Sequence, residues 1–109
     1  MTILEVDTQD RAGGVQLTLR GELGLSTIEK VEQELSRVEA DGHELIVLDL
    51  SGLTFLDSTG LRTIVTADQR ARRAGRRVVV CRGPDTVHRV FTITRLDERL
   101  EMVEDADSI

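Results

Sequence analysis

The sequence predicts an α/β fold: a single domain built on a mixed β-sheet of four to five strands with helices packed on it. Two continuous apolar runs and the patterns between them carry this. Leu45–Leu50 has five apolar residues in six, and Val78-Val79-Val80-Cys81 is a second unbroken run. Both have the length and composition of strands buried on both faces. Amphipathic helical patterns precede, separate and follow them. Strand and helix alternating over short connections argue for parallel central strands covered by helices. The predicted order is β-β-α-β-α-β-α.

Each element has its own signal. Ile3, Leu4 and Val6 predict a first strand, and Asp10–Gly14 a turn, because its two glycines accept positive φ. Val15, Leu17 and Leu19 alternate with Gln16, Thr18 and Arg20, a strand with one face buried and one wet. These two runs pair as a hairpin. Ser26 and Glu29 predict a capping box at the start of a helix with Ile28, Val31, Leu35 and Val38 inside. Gly42 suits its left-handed end.

After Leu45–Leu50, Ser51-Gly52 breaks the apolar run. A second helix is predicted from about Ser58 to Ala74, with Gly75 as its stop. Gly60, Ile64, Ala67, Ala71 and Ala74 form its inner stripe. Leu61, Val65 and Asp68 form a flanking, partly covered stripe, and Arg62, Gln69, Arg70 and Arg73 face away. Pro84 and Asp85 open a third helix with Val87, Val90, Phe91 and Thr94 on its inner face. Leu96, Leu100, Met102 and Val103 allow a short final element before an acidic, frayed end.

Composition narrows the function classes. The chain of 109 residues fits one domain spanning 1–109, and its 39% apolar residues suffice for one core. With two Phe and no Trp or Tyr, the core is aliphatic, and base stacking on aromatic rings is disfavoured. The net charge of −6 argues against nucleic acid and against direct contact with an anionic membrane. No apolar run approaches the roughly 20 residues of a membrane span. Met1–Asp7 lacks the basic region of a signal peptide, and the single Cys81 has no internal disulfide partner. These features predict a cytoplasmic protein.

Cofactor and metal sites are not expected. Cys81, His43 and His88 lack ligand spacing. No phosphate-binding loop occurs, and the only lysine, Lys30, falls within a helix. The Arg70–Arg77 region reads as a solvated helix end, or alternatively as a basic patch.

Asp57-Ser58-Thr59-Gly60 joins the buried strand to the second helix. Ser58 has two readings there. It is a helix cap, whose oxygen accepts an orphan N–H, or it is a surface hydroxyl that a kinase can reach, placing about −1.5 to −2 charge beside Asp57. A nucleophilic serine is disfavoured, because the surroundings are not G-x-S-x-G and the sequence offers no paired base. An aspartic-protease reading of Asp57 fails because an extra residue intervenes and only one copy is present.

Ile46–Leu61 as a whole resembles the signature of STAS domains, specifically the anti-sigma factor antagonists. Leu19-Arg20-Gly21-Glu22-Leu23 is similar to that family's Gly-Glu-Leu-Asp segment, and Val78–Cys81 with Pro84, Val87 and Phe91 to its last strand and third helix. The resemblance implies a STAS domain and a non-enzymatic regulator. Its unphosphorylated form would bind an anti-sigma factor Ser/Thr kinase and free the sigma factor. The kinase would phosphorylate Ser58, with Thr59 the alternative acceptor and Asp57 and Gly60 shaping the loop. A Ser/Thr phosphatase would reverse the step. Leu61, Arg62 and Val65, beside Ser58, are expected to border the partner surface. An accessory STAS subunit of a transporter or of a stress-signalling scaffold is the other role the resemblance allows. The chain departs from the family pattern at two places: Gly24 stands where the family has Asp, and Arg95 where it often has Gly.

Overall fold

The computed structural model describes residues 3–109; Met1 and Thr2, which open the N-terminal stretch considered above, lie outside the described residues. Strands β1 (Leu4–Arg11) and β2 (Gly14–Leu23) form the expected hairpin, in register from Leu4 opposite Gly21 to Arg11 opposite Gly14. Helix α1 (Ile28–Ala40) leads to β3 (Leu45–Leu56), then α2 (Ser58–Arg73), β4 (Arg77–Cys81), α3 (Asp85–Ile93) and β5 (Glu101–Val103). The sheet order is β1-β2-β3-β4-β5, with only β1 antiparallel to its neighbour.

Parallel neighbours require crossovers, and crossovers are right-handed. Each of the three here advances one strand in the same direction, so all three helices lie on one face. The core confirms it. Val31, Leu35 and Val38 of α1, Ile64, Ala67 and Ala71 of α2, and Val87 and Phe91 of α3 form one cluster with Leu17, Leu19, Ile46, Leu48, Leu50, Val78 and Val80. Val47, Val79 and Cys81 alternate with these on the strands and are buried on the opposite face. There the edge is polar: Arg11 donates to Gln16 Oε1 at 3.0 Å, Gln16 donates to Thr18 Oγ1 at 3.1 Å, and Arg20 pairs with Asp7. Burial pushes the Cys81 thiol up to about 11.

The structure corrects four local expectations. No Ser26–Glu29 capping box opens α1. The helix begins one residue later, with Thr27 at the cap position and no side-chain cap bond. The Thr27 hydroxyl instead donates to Glu22 O at 2.8 Å and accepts from Gly24 N–H at 3.1 Å, so it serves the preceding loop. Ser51-Gly52 does not end β3. The strand runs on to Leu56 by taking an extra residue at two places opposite β2, which is how a β-bulge bends a strand without terminating it. Ala74 and Thr94, placed on inner faces by periodicity, are exposed because their helices have already ended at Arg73 and Ile93. The acidic C-terminus is not frayed: Asp105 caps a short turn over Ala106–Ser108, and Arg11 donates to Ala106 O at 3.2 Å.

Arg95 has φ 61°, the one left-handed non-glycine among the described residues. The Cβ of an ordinary residue costs about 1–2 kcal/mol there. Arg95→Gly is therefore expected to raise stability by about 1 kcal/mol, measured as an increase in the urea midpoint with an unchanged m-value.

Candidate functional site

Strand β3 ends at Leu56 and α2 starts at Ser58, so a single residue, Asp57, makes the junction. Asp57 has extended backbone (φ −104°, ψ −177°), the geometry of a helix cap. Its Oδ1 accepts the Gly60 N–H at 2.9 Å, and its Oδ2 accepts the Leu25 N–H at 3.0 Å. One carboxylate thus caps α2 and ties down the loop that leaves β2. The main chain adds a second tie, as Asp57 N–H donates to Leu23 O at 3.3 Å.

The donors on Gly60 and then on Leu25 hold the Asp57 carboxyl below the usual carboxylate range. A depressed folded-state value means that the contribution is full above the unfolded pKa of about 3.9 and is lost as pH falls through the lower folded value.

With Asp57 as the cap, Ser58 is released from that duty. Of its two readings, the cap is taken by its neighbour. Ser58 is exposed at the first helical position, and no protein hydrogen bond engages its hydroxyl among the described residues. Thr59 is half-buried. Gly60 is buried, and an ideal Cβ there would stand 2.8 Å from Leu23 O and 2.8 Å from Leu56 Cδ1. The missing side chain lets the first turn of α2 lie directly on the ends of β2 and β3.

The three residues expected beside Ser58 divide between two sides of α2. Leu61 and Val65 are half-buried and pack against the core. Arg62 is exposed, one helical turn on from Ser58, and lines a groove with Glu32 and Glu39 of α1. Asp68, expected to be partly covered, is buried (7% exposed) and accepts from Arg72 Nε at 2.9 Å. The i,i+4 spacing of Asp68 and Arg72 is the signal that could have revealed it.

Sequence reasoning missed Leu25 and Phe55. Both are exposed and share a groove with Asp57. Most of the arginines from Arg70 to Arg77 are engaged locally: Arg70 with Glu39, Arg72 with Asp68, Arg76 with Glu39 O and Arg77 with Glu101. That arrangement fits the solvated helix end better than a free basic patch. Among the described residues no cluster of His, Cys, Asp and Glu could hold a metal ion, and no helix is long and apolar enough to cross a membrane.

Comparison with known proteins agrees with this geometry. Residues 4–108 match the family model of the STAS domain. The anti-sigma-F factor antagonist RsfB of Mycobacterium tuberculosis is 31% identical over 83 residues, covering 76% of this chain and 68% of RsfB. A crystal structure of an anti-sigma factor antagonist from Mycobacterium paratuberculosis superposes with a TM-score of 0.84 at 25% identity, covering 96% of this chain and 89% of that one. SpoIIAA, an anti-sigma factor antagonist, has the same fold in its unphosphorylated form, with a TM-score of 0.79 at 19% identity over 95% of this chain and 92% of its own. The phosphorylated form of SpoIIAA from Bacillus also superposes, with a TM-score of 0.73 at 18% identity over 95% of this chain and 96% of its own.

Two measurements check the geometry. Gly60→Ala is expected to destabilise the fold by about 1–3 kcal/mol, because the added methyl meets backbone and core atoms; chemical denaturation reads this directly. In an NMR pH titration, the Leu25 and Gly60 amide resonances are expected to move together, with a midpoint below the ordinary carboxylate range. Independent titration of the two amides would contradict the shared carboxylate.

Proposed function

The chain belongs to the STAS domain family of anti-sigma factor antagonists, and from that premise we propose that it is a partner-switching regulator with Ser58 as the switch. The chain 1–109 acts as one binding module in the cytoplasm, not as an enzyme. Unphosphorylated, it binds an anti-sigma factor of the Ser/Thr-kinase type, which then releases its sigma factor. The kinase phosphorylates Ser58. The hydroxyl oxygen bonds to the γ-phosphorus of ATP, the bridging bond to ADP breaks, and the hydroxyl proton passes to a base of the kinase. A Ser/Thr phosphatase restores the hydroxyl by hydrolysis.

The observation that carries this reading is the exposed, unengaged hydroxyl of Ser58 at the first residue of α2, next to a residue that already caps the helix. Thr59, half-buried, is the poorer acceptor. A phosphate on Ser58 adds about −1.5 to −2 charge. Against a docked partner that charge must shed water, which opposes binding. In the isolated protein it stays solvated beside the α2 N-terminus, with Arg62 one turn away, so the fold tolerates it. Asp57 and Gly60 hold the loop, and Leu61, Arg62 and Val65 border the surface the partner covers. The two phosphorylation forms of SpoIIAA belong to a protein of the same fold and are consistent with this reading.

Intact mass after incubation with purified candidate anti-sigma kinases and Mg-ATP tests the switch. One added phosphate is expected, absent in Ser58→Ala. Ser58→Asp is expected to bind the same kinase at least about tenfold more weakly than the unmodified protein, the effect of a 1.4 kcal/mol loss. No phosphate with any kinase, or equal binding by Ser58→Asp, would refute the reading.

A further inference from the structure

Four large apolar side chains are exposed among the described residues, and two of them meet in one place. Leu25 (76% exposed) and Phe55 (47% exposed) line a groove of about 440 Å³ that has Asp57 in its wall. The chain has only two Phe; the other, Phe91, is fully buried. An exposed apolar pair framing a concavity marks a contact site more than a scattered surface residue does.

The groove depends on Gly24. An ideal Cβ at Gly24 would lie 2.6 Å from Asp57 Oδ2 and 3.2 Å from Phe55 Cε2. Any side chain there would push the Asp57 carboxylate off the Leu25 N–H and occupy the space beside Phe55. Glycine at this position therefore does two things: it permits the 3.0 Å bond that fixes Leu25, and it leaves the groove empty.

We propose that Leu25 and Phe55 form an apolar jaw that receives a side chain of the same anti-sigma kinase that modifies Ser58, with Gly24 as the residue that holds the jaw open. This rests on the reading of Ser58 given above. The occupant follows from continuity. Asp57 lines the groove and also caps the helix on which Ser58 is the first residue. A kinase whose active site reaches the Ser58 hydroxyl covers about 800 Å² around it, and a groove walled by the adjacent residue falls under that footprint. The jaw also sharpens the switch, because a phosphodianion next to a closed apolar contact is stripped of more water than one at a wet rim.

The test is calorimetric binding of the purified anti-sigma kinase to the full chain and to Leu25→Ser, Phe55→Ser, Gly24→Ala and Ile93→Ser, with thermal unfolding of each as a check on folding. Leu25→Ser and Phe55→Ser are expected to weaken binding about tenfold or more with unchanged unfolding temperature, as anchors in an interface do. Ile93→Ser, which removes an exposed apolar side chain of α3, is expected to bind like the unmodified chain. Gly24→Ala is expected to speed hydrogen exchange at the Leu25 amide and to weaken binding. Binding by both Leu25→Ser and Phe55→Ser within about twofold of the unmodified chain would overturn the jaw. Failure of the unmodified chain to bind any anti-sigma kinase would instead overturn the function reading, and it is told apart because it appears before any variant is compared.

Discussion

Three crossovers of one hand, all stepping the same way across the sheet, govern everything else in this molecule. Because the order never reverses, the helices cannot divide between the two faces, and the loops that leave β2, β3 and β4 all emerge at one edge. The turn after Leu23 therefore lies beside the start of α2, although more than thirty residues separate them in sequence. Asp57 exploits that proximity. Its two oxygens serve two segments: one caps α2, and the other reaches across to the Leu25 amide, which capping alone would not require.

Most of the architecture was readable in the sequence because it rests on composition and period. The continuous runs at Leu45 and Val78 announced central strands, and the spacing of Ile64, Ala67 and Ala71 announced the buried stripe of α2. The failures were local and have physical causes. Ser26 and Glu29 have the right spacing for a capping box, but Thr27 is claimed by the preceding loop and shifts the helix start. Ser51-Gly52 looks like a stop, yet pairing with β2 continues past it to Leu56 and absorbs the extra residues as bulges, although the pairing with β4 has ended at Asp49. The apolar pair Leu25 and Phe55 was invisible because its members belong to different elements, and no period links them.

The two departures from the family pattern illustrate how differently one substitution can be absorbed. Arg95 keeps the left-handed backbone that a glycine would adopt freely, so the geometry survives and the energy is worse. At Gly24 the geometry itself is at stake, because a side chain there would collide with the Asp57 carboxylate that meets the Leu25 amide. The first departure bears on stability, the second on what the surface near Ser58 presents.

The burial of Cys81 has a consequence for the kind of signal this protein can register. Oxidants and electrophiles act on thiolates, and the only sulfhydryl here is sealed beneath the sheet, with its ionisation displaced to about 11. Near neutral pH the reactive anion is almost unpopulated and out of reach of peroxide. Direct oxidation of a thiol is therefore closed to this domain as a means of registering peroxide.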